Sequence, residues 1–438
     1  MIYVASLPRF DLCQSLHALG LLKNYDSFDW ESTQPMNGSF WQTFSAAPHR
    51  MMMFGGAVQL LVTLLYWGAE LTGRYTGLWS PLPSVIPATF AHAFLMLYTL
   101  FPFFIFGFLM TTYPRWMSGT AIPAGRYKSA FLLLAAGVLL FYIGLFTARA
   151  AVIGGVALLL AGYCVALFSL WQVYRQALAA DKFYETCLNA ALSGGALGVA
   201  AYLLWLLTDN VLWLQLSLQA GLWWFLLPVA VTVGHRMIPF FSVCVLPDYK
   251  VYQPKYTLLP MLLLLALHGL LELLTLPRWL WIADLPLLAL TLLHTWQWQL
   301  RRSFAVRLLA ILHVAFFWLS IGIALYTVQS LALFFKFDLL LGRAPLHAVA
   351  IGFLLSLTLA MASRVTLGHS GRELAADTTT WVLFWGLSGV AILRIVAELP
   401  FGPHFNLLAA VSWLIIAGLW CAKYAPIYLR PRVDGKQG

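Results

Sequence analysis

The chain has 438 residues, 61% of them apolar and only 10% charged, against roughly 45–50% and 25% in soluble domains. So few charges cannot cover the surface of a water-soluble protein of this size, and the apolar and aromatic content excludes disorder. The 26 Lys and Arg against 16 Asp and Glu read as membrane topology rather than as a nucleic-acid surface.

Residues 1–45 do not read as a signal peptide, because Asp11, Asp26, Asp29 and Glu31 interrupt any apolar run. Residues 1–50 are expected to form a cytoplasmic tail. A bilayer core about 30 Å thick needs about 20 helical residues. Twelve segments qualify, near 52–71, 88–111, 129–147, 151–174, 186–208, 213–234, 256–275, 279–300, 304–327, 343–366, 380–398 and 404–428. Their long, unbroken apolar runs exclude transmembrane β-strands, which alternate over about ten residues. The stretch 328–342, with Lys336 and Asp338, is expected to lie as an interfacial amphipathic helix. A short tail at 429–438 follows. The expected fold is thus an all-α, polytopic transmembrane helical bundle of about 12 spans, its membrane domain covering 51–428.

The connections carry the orientation. The two tails and the loops after even-numbered spans hold 20 Lys and Arg; the loops after odd-numbered spans hold 5. The positive-inside rule then places both termini in the cytoplasm. The five cysteines are scattered without a Cys-x-x-Cys pair, which argues against an iron–sulfur site or a disulfide scaffold. Pro102, Pro114, Pro228 and Pro239 are expected to break helices or set turns.

In so apolar a chain the polar residues are informative. His92 and His347 each fall about one turn into a span, near the outer side. His49, His235 and His369 fall at the inner side. His347 and His369 are 22 residues apart, the second just past the end of the tenth span, roughly 33 Å if helical, so they cannot ligate one atom. The outer pair suits a b-type haem held by two imidazoles, and the inner trio suits copper. His313 lies within the ninth span, where an ionisable residue is a functional candidate by default. His268 and Glu272, and Arg394 and Glu398, are spaced to pair one turn apart. His294, near Trp296 and Trp298, is assigned no role, and the tryptophans read as interfacial belts and packing. Arg50, Arg115, Arg236, Arg364 and Arg372 gather at the inner boundary and suit haem propionates or a polar vestibule.

At these residues the sequence resembles the NnrS family. The matching pieces are PHRMMMFGGAVQLL (48–61), HAFLMLYTLFPFFIFGFLMTTYPRW (92–116), GHRMIPFFS (234–242), LHVAFFWLSIG (312–322) and HAVAIGFLLSLTLAMASRVTLGHSG (347–371). The last is the most specific, since His347, Arg364 and His369 keep the family's spacing. Two departures stand out. Many relatives read WHAHEM at the start of the second span, whereas Phe94 and Leu95 here replace the second His and the Glu. His235 stands where many relatives have Gly or Arg.

The resemblance implies a bacterial inner-membrane protein that binds haem b and copper and protects against nitric oxide and nitrosative stress. Nitric oxide binding, its redox conversion and shielding of iron centres stay open as the means. The expected cofactor-binding residues are His92, His347, His313, Arg115 and Arg364, and the expected metal ligands are His49, His235 and His369. The expected partners are the lipid bilayer and nitric oxide, with no nucleic acid. A transporter or metallocofactor-handling protein without redox turnover is the alternative, because twelve spans with both ends inside is a common transporter layout. The chain lacks the His-His dipeptide that a haem-copper oxidase or nitric oxide reductase subunit needs.

Overall fold

The computed structural model describes residues 40–337, 339–399 and 402–435. Most of the N-terminal tail and residue 338 fall outside the described residues. Twelve long helices form: α1 (Pro48–Thr76), α2 (Ala88–Trp116), α3 (Ala124–Thr147), α4 (Arg149–Gln176), α5 (Phe183–Thr208), α6 (Val211–Val245), α7 (Lys255–Leu273), α8 (Trp281–Gln297), α9 (Arg307–Phe334), α10 (Ala344–His369), α11 (Thr378–Val396) and α12 (Pro403–Tyr428). Eleven of them are long and apolar enough to cross a membrane. The twelfth, α8, has 17 residues, about 25 Å of helix.

Helices next to each other in sequence pack together, except that α3 packs on α1 rather than on α2, and α12 packs on α1. Inside the bundle, α2, α6 and α10 touch one another. Three helices therefore stand between each successive central pair: α3–α5 between α2 and α6, α7–α9 between α6 and α10, and α11, α12 and α1 between α10 and α2. These three sectors share one plan. The end of the bundle where α1 begins and α12 finishes is here the terminal face; the opposite end is the distal face.

Each central helix carries a π-helical stretch, at Leu95–Leu100, Ala220–Leu226 and Ala348–Leu355. Two of these lie just before a proline. Pro102 and Pro228 have no N–H to give the carbonyls of Tyr98 and Trp224 one turn back, and their rings crowd those carbonyls. The helix widens by one residue instead of breaking. The Tyr163 hydroxyl from α4 then donates to the Tyr98 carbonyl (3.0 Å). In α10 the Ser356 hydroxyl donates to the carbonyl of Ile351 (3.2 Å). Pro114 and Pro239 also lie inside their helices; they set no turn of their own. Only Pro114 comes within the last turn, before Ser118 takes a left-handed backbone (φ 48°).

The stretch after 327 is not a separate interfacial helix. It continues α9 by two turns to Phe334, because 328–334 is mostly apolar and carries neither Pro nor Gly. The tightest helix pair is α3 with α4, joined through Ala148 alone. A Cβ at Gly144 would stand 2.4 Å from the Val152 backbone nitrogen. Without a driving force from water, membrane helices associate through such close backbone approach.

Candidate functional site

The fold sorts the histidines by sector and by face. At the terminal face His49 begins α1 and His369 ends α10, and their ring centroids are 4.5 Å apart. His49 is 4% exposed. Its backbone N–H donates to the Thr111 hydroxyl of α2 (3.2 Å), and its Nδ1 is buried with no partner. Arg115 and Arg432 lie within electrostatic reach of both rings. Arg432 donates to the His369 carbonyl (3.1 Å) and pairs with Asp434 (2.5 Å). Arg50 reaches across to the Arg430 carbonyl, which ties the start of α1 to the end of α12.

His235, the third expected ligand of that group, is elsewhere. It lies on α6 and packs in the neighbouring sector against His294 of α8, with centroids 5.2 Å apart. Its Nδ1 meets the Tyr184 hydroxyl (2.9 Å) and its Nε2 is buried without a partner. His294 meets its own Leu290 carbonyl through Nδ1 (2.8 Å) and the Thr257 hydroxyl through Nε2 (3.1 Å). Among the described residues no three His, Cys, Asp or Glu side chains converge as metal ligands. The inner trio is therefore two pairs. Equal depth did not bring His235 to His49 and His369, because α6 turns that face toward α8 rather than toward α1.

His313 is also in the sector between α6 and α10. It is 2% exposed and its Nε2 meets the Ser242 hydroxyl (3.1 Å). The Arg364 guanidinium lies 3.7 Å over the Phe241 ring, near the terminal face. Arg115 stands at that face too, about six turns along α2 from His92. Neither arginine is beside the outer histidine pair.

At the distal face, His92 of α2 stacks on Trp67 of α1 (3.9 Å, 12°), and its Nδ1 is buried without a partner. His347 and Arg394 lie within electrostatic reach of it. His347 is placed by its Nδ1 donating to the Arg343 carbonyl one turn back (2.9 Å). That bond leaves the lone pair on Nε2, the tautomer a metal ligand needs. Arg394 of α11 sits beside that ring, 3.2 Å from Nδ1 and 3.4 Å from Nε2, and pairs with Glu398 (3.0 Å). The Arg394–Glu398 pair is the one expected, and its contact with His347 is the feature that spacing did not reveal. A charged residue inside a span was the available signal.

The His268 pairing differs from expectation. Its Nδ1 meets Asp284 of α8 (2.6 Å), not Glu272 on its own helix. Both partners are fully buried, and the ring stacks on Trp223 (3.5 Å). Trp223 is accordingly core, not interface. Asp284 lies in the first turn of α8, where the helix dipole favours an anion, and His268 lies near the end of α7, where it favours a cation. Glu272 has neither advantage.

No curated protein matches the chain in a sequence comparison. The family model described as NnrS protein matches residues 43–432, nearly the whole chain, and the chain belongs to the NnrS family.

Proposed function

We propose that this multi-pass membrane protein binds haem b and copper and protects against nitric oxide and nitrosative stress. Family membership supports a role in the nitric-oxide response. The observation that carries the cofactor reading is the pairing of histidines from helices far apart in sequence, with ring nitrogens left over. Buried polar atoms are almost always satisfied. Here His49 Nδ1, His92 Nδ1, His235 Nε2 and Arg394 Nη1 are not.

The donor sets fit. Two imidazoles from different helices suit haem iron, and the residues for it are His92 and His347. Trp67 fixes the His92 ring, and the Arg343 carbonyl fixes the His347 tautomer. Arg394 stands beside the His347 ring, close to both nitrogens, with Glu398 holding it from the other side. Imidazole is likewise a good copper ligand, and His49 with His369 is the pair for copper, rimmed by Arg115 and Arg432. His313 and Arg364 remain supporting candidates in the α6–α10 sector. When bound, these groups supply the coordination and redox chemistry that nitric oxide engages. The positive-residue bias puts the terminal face, and the copper pair with it, in the bacterial cytoplasm. The distal pair then lies toward the outer side of the inner membrane.

The test is an absorption spectrum of detergent-purified protein, oxidised, reduced and with nitric oxide, together with metal analysis. A low-spin haem band lost in His92→Ala and in His347→Ala, and copper lost in His369→Ala, are expected. Protein made with ample haem and copper that is colourless and metal-free would overturn the reading and favour a transporter.

A further inference from the structure

The three central helices do not close on one another along their whole length. Beyond the π-helical stretches a cavity opens between α2, α6 and α10, lined by Phe104, Phe108, Val229, Leu357 and Met361 and walled on the fourth side by Met53 of α1. The space open to the centres of water-sized spheres is about 60 Å³, several times the roughly 10–15 Å³ that one water needs.

The lining decides what enters. A buried water needs two to four polar partners, and the only side-chain hydroxyl here is that of Thr358. Apolar cavities of this kind stay dry and take up apolar guests such as xenon. The cavity also faces inward. Met53, Leu109, Leu226 and Leu354 in its wall are at most 2% exposed, while Ile105, Ala230 and Thr358 are half-buried. An acyl chain does not fit so small a space without parting the central helices. The occupant is thus small, neutral and apolar.

We propose that this cavity binds a diatomic apolar gas, with nitric oxide as its occupant in the cell, and passes it to the terminal histidine pair. This rests on the function proposed above. The placement supports delivery. Met53 lies one turn from His49 on the same face of α1, and Met361 lies two turns from His369 on α10. A gas gathered from the bilayer core is held within two turns of both rings. On that side the Met53 sulfur meets the Tyr428 hydroxyl, which also bonds Thr366.

The test uses the full chain. Crystals pressurised with xenon are expected to show an anomalous peak between Phe104, Val229 and Leu357, and Ala230→Phe, which fills the space, is expected to lose it. Thr358→Val removes the one hydroxyl with little change of volume and is expected to keep or raise xenon occupancy, so a folding failure of the first variant leaves the proposal exposed to test. In stopped-flow measurements Ala230→Phe is expected to bind nitric oxide more slowly at unchanged haem and copper content. No xenon peak in the unaltered protein, or ordered water or an acyl chain in its place, would overturn the proposal. So would an unchanged nitric oxide rate in a filled variant that has lost xenon. Xenon uptake needs neither haem nor copper, so its failure strikes the cavity alone, whereas a colourless protein strikes the function alone.

Discussion

The sector between α2 and α6 and the sector between α10 and α2 are built alike, each with three helices between two central ones, yet they are filled with opposite chemistry. The first carries no histidine on α3, α4 or α5 and meets one at its edge, where Tyr184 of α5 bonds His235 of α6. Tyr98, Phe94, Phe141, Tyr163, Tyr202 and Phe225 pack ring against ring there. Their hydroxyls are spent on backbone carbonyls: Tyr98 on Ser217, Tyr163 on Tyr98, Tyr202 on Phe90. The second holds His49 with His369 at one face and His92 within reach of His347 at the other, and it leaves ring nitrogens unspent. The same helical plan thus serves once as a mainly aromatic wall, with the Ser217 hydroxyl left unpartnered in it, and once as a frame for unsatisfied ring nitrogens. A closed polar network contributes stability; an open one costs it.

The contrast can be broken most severely at the wall. In Gly144→Leu the new side chain meets backbone that cannot turn aside, so a loss of at least about 3 kcal/mol is expected, the upper end for overpacking. Unfolding in detergent measures it. Gly389 of α11 has open space around its Cβ direction, and Gly389→Leu in the other sector should be near neutral. Equal losses at the two sites would deny that the sectors differ.

Tyr163→Phe probes the spent hydroxyls. It leaves the Tyr98 carbonyl buried and unpaired beside Pro102, and about 1–3 kcal/mol should be lost. His92→Leu makes the reverse test. It removes a buried unpartnered nitrogen, so the cofactor-free protein should be unchanged or about 1 kcal/mol more stable, while the haem band disappears. Marked destabilisation of the cofactor-free protein would make His92 a structural residue like Tyr163.

The smallest effect lies outside the membrane. Lys255 at the start of α7 hydrogen-bonds Asp181 in the loop before α5 and holds its carboxyl below the usual carboxylate range. A depressed carboxylate adds stability that is complete above its unfolded pKa, about 3.9, and is lost as pH falls through the lower folded value. Both side chains are about half exposed, so solvent screening limits the term to below about 1 kcal/mol. Acid unfolding of Lys255→Met against the unaltered chain measures it, and a larger difference would show a contribution from this loop that exposure forbids.

The sequence alone determined the class of molecule, the positions of the twelve helices and the depths of the histidines. Hydrocarbon thickness fixes helix length, and a helix fixes depth by residue count. Composition and length suffice for that, and the family spacing of His347, Arg364 and His369 added the function to test. Rotation of each helix about its axis was beyond it. Whether His235 meets His369 or His294, whether His268 takes Glu272 or Asp284, and whether Pro102 breaks α2 or widens it depend on which neighbour packs against which face. Every face of these spans is apolar, so periodicity carries no rotational signal. Only the packing of α2, α6 and α10 at the centre decided which histidines share a sector, and left the cavity between them.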